Sequence, residues 1–315
     1  MPELEMIPTR DMSREEWLKE RRKSIGGSDA GSVLGFNEYC SPYMLWAEKT
    51  GKYIPEDISD KEAVRLGNDL EEYVAQRFEE KTGKRLRRCN YLMRNPKYPF
   101  AHADIDRRVI GEGAGFEAKT TSSWEILKQC REGKYPDKWY CQIVHYMMVT
   151  GFERYYLGVL CFGHGFYEFT IERDEAEIEA LASAERSFWE LVKNDTPPAV
   201  DGSESTKEAL QVILAESNGG TADLTAVSSH LEMLAMLKGQ EKEIKAQINE
   251  QTAIIMDFMQ ENERGTYGNY SVSFKTQSRS TFDKAAFEAA NGKIPDEYFK
   301  TSESRPFKLT AKKEK

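Results

Sequence analysis

At 315 residues the chain exceeds one average domain, and its 39% hydrophobic and 31% charged content fits a globular protein with a real core. A net charge of −9 argues against a protein that coats nucleic acid indiscriminately, yet leaves room for local basic patches. No window approaches the roughly 18 consecutive apolar residues of a membrane helix and the N-terminus has no signal-peptide core, so a cytoplasmic protein is expected.

Ser13, with Glu16 three residues on, predicts a capped helix start. Arg14, Lys19, Arg21, Arg22 and Lys23 form a first basic cluster there. Gly26-Gly27 break this helix, and Ser28 is expected to cap a second one running towards Leu34. Backbone N–H groups just past such a turn make an anion site. Residues 61–82 carry Val64, Leu70, Val74 and Phe78 at helical spacing, end at Gly83, and place Glu71 and Glu72 near the middle. A second basic cluster follows, with Lys81, Lys84, Arg85, Arg87 and Arg88. Residues 86–103 read as irregular and strand-like. HADIDRRVI and GFEAKTT then flank the turn GEGAG as paired strands.

A mostly buried helix is expected from Pro136 to Thr150, and RYYLGVLCF and GFYEFTIERD are β-prone runs around Gly163-His164-Gly165. A helix over 174–193 and Pro197-Pro198 close a first compact unit at about residue 200. Residues 201–224 read as a linker with a short helix, and 225–315 as an accessory region. Within the latter, Leu234, Leu237, Ile244, Ile248, Ile255 and Phe258 form a partial heptad, interrupted by Glu241 and Gln251, as in a packing helix or coiled-coil arm. An alternating strand at 270–274, a helix at 282–290 and the basic tail LTAKKEK finish the chain.

The informative chemistry lies between Ala101 and Thr120. Asp104 sits on one strand and Glu117-Ala118-Lys119 on the next. Alternation puts Glu117 and Lys119 on one face and lets Asp106 share the face of Asp104. Two carboxylates converging across neighbouring strands can share a hard divalent cation. Such an ion would neutralise charge on a scissile phosphate and acidify a bound water, while the lysine orients that water or stabilises developing charge. The five cysteines are scattered with no CxxC pair, so nothing suggests structural zinc or an iron–sulfur cluster.

Several blocks from Trp17 to Pro198 resemble, in order, the YqaJ-like viral recombinase family, the phage lambda exonuclease type within the PD-(D/E)XK nucleases. They are WLKERRKSIGGSDAGSVLG, GNDLEEYVAQRFEEKTG, AHADID, FEAKT and YCQIVHYMMVTG. The resemblance implies an α/β fold: a restriction-endonuclease-like core whose mixed central sheet is flanked by helices, with a mostly helical C-terminal appendage. It implies catalytic Glu71, Asp104, Glu117, Lys119 and Gln142, with the metal on Asp104, Glu117 and Glu71 and a DNA 5′-phosphate on Arg21 and Ser28. The implied cofactor is Mg²⁺, with Mn²⁺ as a substitute. The implied activity is 5′-to-3′ digestion of duplex DNA ends, leaving 3′ overhangs for a single-strand-annealing protein. A ring-shaped homotrimer and a phage or prophage origin in a bacterial cytoplasm are further implications.

The chain departs from the family where Ile105-Asp106 replaces Asp-Gly, which makes Asp106 an auxiliary ligand or a mere neighbour. Gln142 also stands without the usual second glutamine, and His145 reads as a satisfied helix histidine or a residue that reaches the site. Two other readings stay open: a structure-specific or nicking endonuclease with the same centre, and a non-catalytic DNA-end-binding or recombination-assembly module.

Overall fold

A computed structural model describes residues 3–300, 305 and 307–309. The basic tail therefore lies almost wholly outside the described residues. The chain divides into two compact units, Met1–Leu214 and Ala215–Lys315.

The first unit opens with β1 (Glu5–Pro8), α1 (Arg14–Arg21), α2 (Gly27–Val33), α3 (Pro42–Lys49) and α4 (Glu62–Thr82). Four short strands follow: β2 (Leu86–Arg88), β3 (Tyr91–Arg94), β4 (His102–Asp104) and β5 (Arg107–Val109). Then come β6 (Ala114–Thr121), α5 (Trp124–Arg131), α6 (Asp137–Thr150), β7 (Arg154–Cys161), β8 (Gly165–Glu172), α7 (Glu175–Lys193) and α8 (Glu204–Ile213). A five-stranded sheet runs β2-β5-β6-β7-β8, mixed because β6 and β7 are parallel and the other pairs antiparallel. A three-stranded antiparallel sheet, β1-β3-β4, stands apart from it.

Alternation along β6 sorts its side chains between two cores. Phe116 faces α4, where Phe78 and Tyr156 meet it with ring centroids 4.7 Å apart for Phe78–Phe116. The larger core on the other face is organised by α6, which is apolar nearly all round and packs against α2, α7 and the three-stranded sheet. Gly151, left-handed at φ 71°, ends α6.

Three local expectations change. Ser13 does cap α1 in a capping box, but α2 is capped by Gly26, with Asp29 reaching back to the Gly26 N–H; Ser28 lies inside the first turn, leaving its hydroxyl for Arg21. HADIDRRV is not one strand. The chain leaves β4 after Asp104 and enters the other sheet at Arg107, so Asp104 and Asp106 do not share a strand face. The short helix expected within the 201–224 linker is α8, but it is packed on α3 and not a free tether: Ser205 Oγ accepts from the Ser41 N–H at 2.9 Å, and Ala209 is fully buried.

The second unit holds α9 (Ser228–Met259), a hairpin of β9 (Arg264–Tyr267) and β10 (Tyr270–Ser273), and α10 (Lys284–Asn291). Along α9, Leu237, Ile244, Ile248, Ile255 and Phe258 are exposed. Among the described residues no helix is long and apolar enough to cross a membrane.

Candidate active site

β6 is the middle strand of its sheet, and its Glu117 and Lys119 project away from α4 towards α6. Lys119 Nζ donates to Glu117 Oε1 at 2.7 Å and to Gln142 Oε1 at 3.0 Å. The Gln142 amide donates to the same Glu117 oxygen at 2.7 Å and to the Tyr146 hydroxyl at 3.0 Å. Gln142 and Tyr146 are four apart on α6 and so share a helix face. Burial alone would lower the Lys119 pKa, but Glu117 and Asp106 raise it, so this lysine is a cation.

Asp106 sits in the crossing between the two sheets, where its carboxylate accepts from the Ala118 N–H at 3.1 Å. Burial, and then the Glu117 charge, push its pKa well above the usual carboxylate range. Glu117 is itself buried, and its Oε2 has no hydrogen-bond partner among the described residues. Two crowded carboxylates, one with an orphaned oxygen, form a donor set short of positive charge. It fits a small hard cation that binds through one or two carboxylates and keeps several waters. A fuller protein cage is not built: no group of three His, Cys, Asp or Glu side chains converges for a metal among the described residues.

Asp104 goes elsewhere. Its Oδ2 accepts from Trp17 Nε1 at 3.0 Å and from Arg21 Nη1 at 3.2 Å. Arg21 lies over the Trp17 ring at 4.5 Å, and its Nη2 donates to Ser28 Oγ at 3.0 Å. Arg21 and Ser28 are thus brought together beside the start of α2. Behind them Lys49 Nζ meets Asp29 at 2.6 Å; although burial would raise it, Lys49 and Arg21 hold the Asp29 pKa down to about 2.

Glu71 is engaged by Arg107 at 3.0 Å, where it and Glu72 neutralise a buried guanidinium, and its charge still acts on nearby Asp106. His145 is a satisfied core histidine, held between Glu185 Oε1 at 2.7 Å and the His102 carbonyl at 2.8 Å. Sequence reasoning missed Trp17 and Tyr146 as site residues. The signals were there: each lies four helical residues from a residue it touches, Arg21 and Gln142.

A mixed sheet with Glu-x-Lys on its middle strand and a second carboxylate at the head of the neighbouring strand defines a protein of the PD-(D/E)XK nuclease fold. A model of the YqaJ-like viral recombinase domain matches residues 16–153. The uncharacterized protein YqaJ of Bacillus subtilis (strain 168) is 37% identical over 309 residues, covering 96% of this chain and 95% of that protein. The chain belongs to the YqaJ-like viral recombinase family. Among solved structures, the alkaline exonuclease LHK-Exo from Laribacter hongkongensis, in complex with dAMP, shares the fold. It has a TM-score of 0.50 at 21% identity, over 57% of this chain and 93% of that one. A phage-related exonuclease from Haemophilus somnus 129PT matches with a TM-score of 0.42 at 11% identity, over 57% of this chain and 99% of that one.

Proposed function

We propose that the chain is a Mg²⁺-dependent deoxyribonuclease that digests duplex DNA from 5′ ends, with Mn²⁺ able to substitute. The observation that carries the reading is half-buried Asp106 with buried Glu117 beside charged Lys119 on one sheet face. Asp106 and Glu117 would hold the ion, which supplies Lewis-acid activation of the scissile phosphate and of a water. Hydrolysis of this kind would join a water oxygen to phosphorus and break the P–O3′ bond. The water would lose a proton to solvent and the departing O3′ would take one from solvent, so that a nucleoside 5′-monophosphate would be released. Lys119 faces the developing charge on the phosphoryl oxygens, and Gln142 with Tyr146 fixes the Glu117 and Lys119 rotamers.

Arg21 and Ser28 are apt for the terminal 5′-phosphate. A guanidinium held by Trp17 and Asp104 is preorganised for a bidentate contact. The fold shared with an alkaline exonuclease crystallised with dAMP, the type of product such a reaction releases, supports the same reading. The 3′ overhang left behind would pass to a single-strand-annealing protein.

The test uses a 5′-phosphorylated linear duplex, its 5′-hydroxyl counterpart and a closed circle, each with Mg²⁺ and with chelator. Mononucleotides should appear from linear DNA only, fastest from the phosphorylated end, and only with Mg²⁺. Absence of Mg²⁺-dependent release sinks the proposal, and cutting of the circle turns it into an endonuclease.

A further inference from the structure

The β2–β5 ladder carries two arginine pairs directly opposite each other: Arg88 across from Arg107, and Arg87 across from Arg108. Like charges directly opposite on antiparallel strands are destabilising. On the α4 side the problem is solved within the chain, because Glu71 and Glu72 take up both Arg88 and Arg107. On the other side it is not. Arg87 and Arg108 are both exposed, and among the described residues neither has a carboxylate partner. In a chain of net charge −9 such an uncompensated pair stands out.

Its position gives it meaning. Directly opposite residues share a sheet face, so Arg108, which pairs with Gly115, lies on the face of Gly115, Glu117 and Lys119. Arg108 is two residues beyond Asp106. At about 3.4 Å per residue, the arginine pair stands on the order of 7 Å along the sheet from the proposed cutting centre. A cleft of about 490 Å³ opens there, lined by Arg10, Arg87, Arg88, Tyr91 and Arg108, with Asp11 at its side.

We infer that Arg87 and Arg108 grip a backbone phosphate of the DNA within a few nucleotides of the scissile one, a site separate from the Arg21–Ser28 pair. Phosphates recur about every 3.4 Å of axis along each strand, which suits that separation. Two guanidiniums from facing strands can share one phosphate, and the phosphate supplies the counter-charge the fold omits. The inference rests on the nuclease reading and adds where the substrate's backbone lies.

The test measures binding of the full chain to a short 5′-phosphorylated duplex in chelator, by fluorescence anisotropy across a salt series. Arg87→Gln/Arg108→Gln should bind about tenfold more weakly at low salt, equally for unrelated sequences, with the salt slope reduced by about 0.9 for each phosphate no longer neutralised. Both side chains are exposed and repel each other, so the variant should melt no lower than wild type. A charge-matched control, Arg85→Gln/Lys134→Gln, changes two exposed cations paired with Glu79 and Glu132 and should retain wild-type affinity and slope. If the wild type binds and digests duplex DNA and the Arg87/Arg108 variant matches its affinity and slope, the inference is overturned and the nuclease reading stands. If the wild type neither binds nor digests any duplex, both fall.

Discussion

Two aspartates, Asp104 and Asp106, compete for the role of second metal carboxylate, and their surroundings separate them. Asp104 already has partners that satisfy it, the Trp17 indole and the Arg21 guanidinium. Asp106 is held against the Ala118 N–H with its pKa raised by burial and by Glu117, a cost that a bound cation would remove. Asp106→Ala and Glu117→Ala should therefore each abolish Mg²⁺-dependent digestion of both phosphorylated and hydroxyl ends. Asp106→Asn should also raise the melting temperature in chelator, because it relieves carboxylate crowding. Asp104→Ala should instead behave like Arg21→Ala, losing the preference for a 5′-phosphate while still cutting hydroxyl ends. Lys119→Ala should be slower by about 10²–10⁴-fold with metal affinity retained, since it acts on charge and not as a ligand. Digestion rates on the two ends with calorimetric Mg²⁺ titrations check the four alanine variants, and a thermal melt in chelator checks Asp106→Asn. Loss of metal binding in Asp104→Ala alongside normal binding in Asp106→Ala would reverse the assignment.

At the scale of elements, the contact between α2 and α6 controls the geometry of the site. A Cβ on Gly27 would stand 2.4 Å from Tyr146 Cε1, too close for any real contact, so the glycine is there to let the helices approach. Gly27→Ala must drive the Tyr146 ring off its Gln142 partner. Overpacking of this kind costs about 1–3 kcal/mol. A melting temperature several degrees lower, with a fall in turnover at saturating DNA, is the expected outcome; unchanged turnover would mean Tyr146 does not position Gln142. Much of this architecture is legible in the residues. The 3.6-residue pattern of α4, the glycine stops at Gly83 and Gly151, and the β7–β8 turn all read through because each signal is local.

What did not read through is non-local or short. The shared strand face expected for Asp104 and Asp106 failed because strands of three residues give alternation too little length to reveal a change of sheet between them. α3 and α5 are eight residues each, about two turns, too short for a helical period to stand out even though Ser41 and Ser123 cap them. For the site, Glu117 and Lys119 were legible as neighbours on one strand face, while Gln142 came only from the family resemblance. The three meet in the structure, and Glu71 pairs with Arg107 through a tertiary ion pair that no spacing encodes.

For the whole molecule, the question is where the nuclease-fold unit ends. Pro197-Pro198 looks like a natural stop, yet the chain returns as α8 to cover α3. Thr206 Oγ1 donates to Ser41 Oγ at 2.7 Å, Ser205 accepts from the Ser41 N–H, and Ala209 is sealed in the core with Leu210 and Ile213 packed beside it. Two buried hydrogen bonds at about 1 kcal/mol each, together with the apolar side chains at about 1.5–3 kcal/mol for each large one, make α8 worth several kcal/mol. A chain ending at Leu214 should thus fold independently, with cooperative melting and Mg²⁺-dependent digestion. A chain ending at Pro198 should melt roughly 10 °C or more lower, at about 2–4 °C per kcal/mol for a domain of this size. It should also be cut by protease within residues 42–49, whose covering helix is gone. Thermal melts and limited proteolysis of the two truncations decide the matter. Equal melting temperatures would show that α8 is a tether after all, and that the unit closes where the prolines suggest.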